Sequence, residues 1–150
     1  MIRLEPLGEQ HLGVLESLAE DPDVRRFTRL PVPAPPEVGR EWLARYEAGR
    51  RDGTREGFAI VEDGEVVGLA VVPEIDGGTA ELGCVVVPEA RGRGHATAAL
   101  AELTGWALAR GVRRLELRID ADNHASKRVA ARCGYAFERV DDVEVWSLAS

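Results

Sequence analysis

Apolar residues recur at a helical period over four stretches of the chain and at a strand period over seven. Ile2–Glu5 predicts a short first strand that Pro6 ends. Leu12, Leu15 and Ala19 share one face over 8–20, and Asp21-Pro22 stops that helix. Residues 22–36, with four prolines between 31 and 36, predict an ordered loop or arm. Pro36 suits the first turn of a helix whose one face carries Val38, Trp42 and Tyr46. Phe58–Glu62 and Glu65–Val72 flank Asp63-Gly64, a strong hairpin signal, and Gly77-Gly78 turns the chain into a strand over Thr79–Val87. A glycine-rich loop then leads into a helix ending near Arg110, with Ala96, Leu100, Leu103 and Ala107 on its apolar face and Gly111 as its C-cap. Val112–Ile119 alternates Leu115, Leu117 and Ile119 to one side, as a strand does. Asn123 reads as the N-cap of a helix carrying Ala125, Val129 and Cys133 and closed by Gly134. Tyr135–Val140 and Val143–Leu148 make a last hairpin. The order β-α-α-β-β-β-α-β-α-β-β predicts one α/β (α+β) domain over 1–150, with a mostly antiparallel sheet and at least one strand–helix–strand crossover.

Charge changes this picture in one place. The whole chain carries 19 basic and 26 acidic residues, formally −7. That balance argues against nucleic acid as a partner and against a polybasic membrane surface. Residues 88–139, however, hold 10 basic and 6 acidic residues, against 9 and 17 in residues 1–87. One stretch of an acidic chain is basic, and it begins at the glycine-rich loop. No apolar run approaches the roughly 18–20 residues that span a bilayer, and Met1–Glu5 lacks the apolar core of a signal peptide. Cys84 and Cys133 offer neither a disulfide framework nor a metal-ligand spacing, so reduced thiols in a cytoplasmic protein without a metal are expected.

The loop reads Val85-Val86-Val87-Pro88-Glu89-Ala90-Arg91-Gly92-Arg93-Gly94-His95-Ala96. Its glycines remove side chains where backbone N–H groups turn toward a helix start, and such amides together with the helix dipole favour an anion, phosphate above all. Arg91 and Arg93 add cations at the rim. The loop lacks the Lys-Ser/Thr ending of an ATP-binding P-loop. It is not G-x-G-x-x-G either, and it follows the fourth strand, which disfavours a dinucleotide fold. A few glycines between strand and helix also make an ordinary turn, so the surrounding sequence has to decide.

Arg91-Gly92-Arg93-Gly94-His95-Ala96 resembles the Q/R-x-x-G-x-G/A signature of the GCN5-related N-acetyltransferase superfamily. Downstream, Asn123-His124-Ala125-Ser126-Lys127-Arg128-Val129-Ala130 and then Cys133-Gly134-Tyr135 resemble the branch that contains the ribosomal-protein N-terminal acetyltransferases. The resemblance extends over essentially the whole chain. It implies a mixed sheet of about seven strands flanked by four helices, with Thr79–Val87 and Val112–Ile119 splayed to admit acetyl-CoA. It also implies that backbone groups of Val85, Val86 and Val87 hold the pantetheine arm. The amides from Arg91 through Gly92, Arg93, Gly94 and His95 to Ala96 would bind the pyrophosphate, with a hydroxyl from Thr97. Asn123 would bind the cofactor as well as cap its helix, and Arg128 would meet the 3′-phosphate unless it is simply a solvated helix charge.

The implied reaction is direct attack of a neutral amine on the thioester, with acetyl-CoA and an amine acceptor as partners. A backbone N–H of Val85 or Val86 would polarise the carbonyl. Glu81 is the first candidate base and Glu116 the second; each is also readable as a strand carboxylate facing water. The tyrosine that many members use as acid falls at Ala130 and is absent here; Ser126 holds the position of a serine that can meet the leaving thiolate, and is equally readable as a first-turn serine capping backbone. Tyr135 belongs to the apolar position of the motif and is expected in the core. An α-amine titrates near about 8 and a lysine near about 10.4, so weak acid–base equipment suits a protein N-terminus or a small α-amine. The arm over 22–36, with Arg25, Arg26, Phe27 and Arg29, is expected to line the acceptor side unless it is merely structural. The missing tyrosine leaves open a non-catalytic acyl-CoA-binding or regulatory module, and nothing in the chain fixes the acyl donor as acetyl. Dimers are common in the superfamily, so a homodimer is an expectation by analogy.

Overall fold

The computed structural model describes residues 1–28 and 36–149. Of the expected acceptor-side arm, Arg29 and the side chains of Arg25 and Phe27 lie outside the described residues. The chain runs through β1 (Ile2–Pro6), a 3-10 turn at Glu9–His11, α1 (Gly13–Ala19), α2 (Pro22–Phe27), α3 (Pro36–Asp52), β2 (Glu56–Glu62) and β3 (Glu65–Asp76). It continues through β4 (Thr79–Val86), a 3-10 turn at Pro88–Ala90, α4 (His95–Ala109), β5 (Arg114–Ile119), α5 (His124–Arg132), β6 (Ala136–Val140) and β7 (Glu144–Ala149). The strands form one sheet in the order β1-β2-β3-β4-β5-β7-β6. Every neighbouring pair is antiparallel except β4 and β5, the two strands joined through α4.

The hairpin turns carry the conformations that their residues favour. Asp63 and Gly64 have φ of 50° and 80°, and Gly77 and Gly78 have 57° and 86°. Paired left-handed residues of this kind match the twist of the flanking strands. Among the described residues there is one helix more than the expected four, because Asp21-Pro22 starts a helix as well as stopping one. Asp21 accepts the Asp23 amide at 3.1 Å as N-cap, and Pro22 occupies the first position of α2, where a missing N–H costs nothing. The segment expected as one helix over 8–20 is divided into the 3-10 turn and α1.

Two layers of helix cover the sheet. On one face α4 lays down Ala99, Leu100, Leu103 and Ala107, all buried, and Trp106 meets Phe58 edge-on at 5.7 Å. Phe58 is in register with Ala70, and Ala70 with Cys84, so this is the face of Cys84 on β4. On the other face, a Cβ at Gly57 would stand 3.2 Å from the ring of Tyr46 on α3. Gly57 is in register with Val71 and Gly83, so by alternation Glu81, Gly83 and Val85 belong to this second face.

The sheet opens at one place. β4 and β5 pair only over Thr79–Arg114, Ala80–Leu115 and Glu81–Glu116. Beyond Glu81, β4 stays with β3 as far as Val86, while β5 stays with β7 as far as Ile119. The expected splay is therefore present, and the two strands part toward their C-terminal ends.

Candidate active site

The opening between β4 and β5 leads to the start of α4. Gly92 and Gly94 both take left-handed conformations, with φ of 81° and 80°, and Gly94 is an N-cap with no side chain to offer. The first intrahelical bond reaching back to it is Ala98 N–H to Gly94 O at 3.0 Å. Among the described residues, the amides of His95, Ala96 and Thr97 take no acceptor, as at any helix start without a capping side chain. The positive end of a 15-residue helix thus faces the opening with bare amides, an arrangement that binds anions.

The three valines of the strand end differ in aim. Val87 N–H donates to Val67 O at 2.8 Å. The carbonyl oxygen of Val85 lies so near Gly68 that a Cβ there would stand 2.1 Å from it. Val85 and Val87 therefore spend their backbone groups on β3. Strand alternation turns those of Val86, and of Cys84 before it, toward the opening. Cys84 was not among the residues the sequence pointed to; only the pairing register identifies its phase.

Arg91 is likewise committed. Its Nε donates to Val86 O at 3.0 Å, its guanidinium pairs with the buried carboxylate of Asp21, and its amide donates to Pro88 O at 3.3 Å. Arg93 is exposed and, among the described residues, has no carboxylate partner; its guanidinium donates to Glu89 O at 3.4 Å. His95 turns its ring inward, with Nδ1 3.2 Å from the Glu62 carboxylate and Nε2 buried without a hydrogen-bond partner. Thr97 gives its carbonyl to the Cys133 thiol at 3.4 Å.

Across the opening, Asn123 Oδ1 accepts the Ser126 amide at 3.2 Å and so caps α5 as expected. Ser126 is half-buried and Arg128 is exposed. Lys127 ties α5 to β7 through Glu144 at 3.1 Å. Ala130 is fully buried and brings no acid. Tyr135 is a core residue, as expected: its hydroxyl lies 2.7 Å from Thr104 Oγ1. Burial pushes its phenol up to about 12.

The two candidate bases have unlike surroundings. Glu74, Glu81 and Glu116 stand in register across β3, β4 and β5, a row of like charges that is unfavourable by itself. Glu116 takes Arg114 through Nε at 3.1 Å and Nη2 at 2.8 Å, with Arg139 at 3.6 Å. Glu81 interacts instead with Arg118. Burial lowers the pKa of that guanidinium, but Asp142, Asp141 and Glu81 together raise it above the usual arginine range. Cys84 and Cys133 are free thiols, and burial, helped by Cys133, pushes the Cys84 thiol up to about 12. Among the described residues, no three His, Cys, Asp or Glu side chains gather as metal ligands. No helix there is long and apolar enough to cross a membrane.

The sheet thus parts at its parallel strand pair, and a helix capped by a glycine starts at the end of the gap. The family description "Acetyltransferase (GNAT) domain" matches residues 2–136, and the chain belongs to that family of acetyl-CoA-dependent acetyltransferases. The fold is shared with RimL, a ribosomal alpha-N-protein acetyltransferase in complex with coenzyme A, at a TM-score of 0.89 and 20% identity over 99% of this chain and 93% of that one. Mycobacterium smegmatis RimJ in complex with a CoA disulfide gives 0.84 and 21% over 99% and 82%. MccE, a microcin self-immunity acetyltransferase in complex with acetyl-CoA and AMP, gives 0.83 and 18% over 99% and 92%. No curated protein matches the chain by sequence.

Proposed function

We propose that residues 1–150 form one N-acetyltransferase domain that transfers the acetyl group of acetyl-CoA to a primary amine, either a protein N-terminus or a small-molecule amine. The parting of β4 from β5 after Glu81 carries this reading, because it leaves room for a pantetheine arm between two strands of one sheet. The residues fit such a donor. The Gly92–Thr97 amides would take the pyrophosphate, with Arg93 and Arg128 as exposed cations for its charge. Val86 and Cys84 would meet the amides of the arm, and Asn123 would face it from the other side.

In the reaction the amine nitrogen forms a bond to the thioester carbon, the C–S bond breaks, and the thiolate takes a proton. Val86 N–H would stabilise the charge developing on the thioester oxygen. Glu81 accepts the amine proton; Glu116 is less suited, since two guanidiniums hold its carboxylate. Ser126 would meet the thiolate with its hydroxyl. An α-amine, already partly neutral near pH 7, asks least of this equipment. The cytoplasm is the compartment proposed, with no nucleic-acid partner.

The buried Ala130 in place of an acid supports one second reading, a non-catalytic acyl-CoA-binding module. A single assay separates the two. Thiol release from acetyl-CoA is followed with peptides bearing a free N-terminus, N-terminally blocked lysine peptides, polyamines and small primary amines. Release with the free N-terminus or a small amine supports transfer; acetyl-CoA binding without release from any acceptor supports the second reading.

A further inference from the structure

The Arg91–Asp21 pair has no part in the chemistry above, yet it joins the two substrate sides of the molecule. Asp21 opens α2 and is 8% exposed. Its carboxylate takes the Asp23 amide and the Arg91 guanidinium. That guanidinium also donates to Val86 O, at the residue whose backbone turns to the opening. At the other lip, Arg26 on the same short helix donates to Asp122 at 2.6 Å, one residue before Asn123. α2 therefore spans the gap, pinned to the corner after β4 by a half-buried pair and to the corner after β5 by an exposed one.

We propose that Asp21 is a positioning residue for acetyl-CoA: it fixes Arg91, Arg91 fixes the Val86 corner, and the corner sets where the loop amides stand. The proposal rests on the acetyl-CoA site proposed above. Only the Asp21 end of the pair is buried, and the Arg91 side chain is 38% exposed, so a guanidinium without its carboxylate would swing toward water and release Val86 O. Misplacement of binding groups by about 1 Å can cost up to about a hundredfold. Here the amides stay on their helix, and the expected loss is about tenfold.

The test is calorimetry of acetyl-CoA binding, with thermal melts and steady-state kinetics on the same preparations. Asp21→Asn keeps a good N-cap and removes the charge. It should raise the Kd and the KM for acetyl-CoA about tenfold while kcat changes less than about threefold. Arg91→Lys keeps the charge facing Asp21 but cannot also reach Val86 O, so it should do the same and guards against misfolding of the first variant. Because both changes cut one link, the double variant should bind no more than about twofold weaker than either single one. A folded Asp21→Asn protein whose Kd equals that of the wild type, or losses that multiply in the double variant, overturns the proposal and leaves the site reading intact. A wild-type chain that does not bind acetyl-CoA overturns both.

Discussion

β4 is two different strands along its length. Over its first three residues it is laddered to β5, and what it offers there is side chain: Glu81 between Glu74 and Glu116, with Arg114, Arg118 and Arg139 around them. Beyond Glu81 it has lost β5, and what it offers is backbone: Val86, then the amides past Gly92 and Gly94. A site made of backbone depends on conformation, which glycine and the strand-to-helix switch dictate locally. A site made of strand side chains depends on register, which is decided by partners far along the chain. The two ends should therefore fail differently when changed.

The largest effect is expected at the side-chain end. Glu81→Gln removes the proposed proton acceptor without changing shape, and kcat should fall about a hundred- to ten-thousandfold. Acetyl-CoA affinity by calorimetry should stay within about twofold, since the carboxylate is remote from the amides. A joint loss of affinity would mean that the two ends are one site.

Next in size is Gly94→Asp at the backbone end. The position has φ 80°, and nothing stands within 4 Å of an added Cβ. The cost to folding is then conformational, about 1–2 kcal/mol. The cost to binding is larger, because a carboxylate would stand among amides meant for phosphate. We expect about a hundredfold weaker acetyl-CoA binding, or about 2.7 kcal/mol. If the Kd moves less than about threefold, the anion site lies elsewhere.

Glu116→Gln separates register from chemistry at a smaller scale. It leaves Arg114 and Arg139 with only Glu138 between them, and the melt should report a loss of about 1 kcal/mol for this half-exposed cluster. kcat should change less than about threefold. A collapse of kcat with an intact Glu81 would exchange their roles.

The same contrast explains what could be read from the chain. Asp63-Gly64, Gly77-Gly78, Gly94 and the Asn123 cap are local signals, and each is found where expected. The choice of Val86 and Cys84 over Val85 and Val87 required the phase of β4 against β3, which valine-rich sequence does not encode. Arg91 read as a phosphate cation because its partner lies on another helix, across 70 positions of chain. Glu116 read as a free carboxylate because Arg139 reaches it from β6. α2 was missed for a different reason: Asp-Pro both ends one helix and starts another, and a proline-rich stretch follows it.

Tyr135→Phe should have the smallest effect and bears on the acid. The phenol is 3% exposed behind the opening. It stays protonated because burial, with smaller contributions from the neighbouring cysteines, outweighs the Thr104 hydrogen bond and lifts it from 10.0 to about 12. Raised in the folded state, this group contributes stability that is whole below about pH 10 and drains away as pH rises toward 12. Cys84 acts with the same sign from 9.0 to about 12. The phenylalanine variant should lose about 1 kcal/mol at neutral pH, because Thr104 keeps a buried hydroxyl without its partner. It should also show a shallower alkaline decline, set by the Cys84 and Cys133 thiols that burial raises, in denaturant titrations from pH 8 to 11. Its kcat should match the wild type, as expected of a hydroxyl spent on α4 and held far above working pH. A hundredfold fall in kcat would move the acid from Ser126 to Tyr135 and bring the core side of the opening into the chemistry.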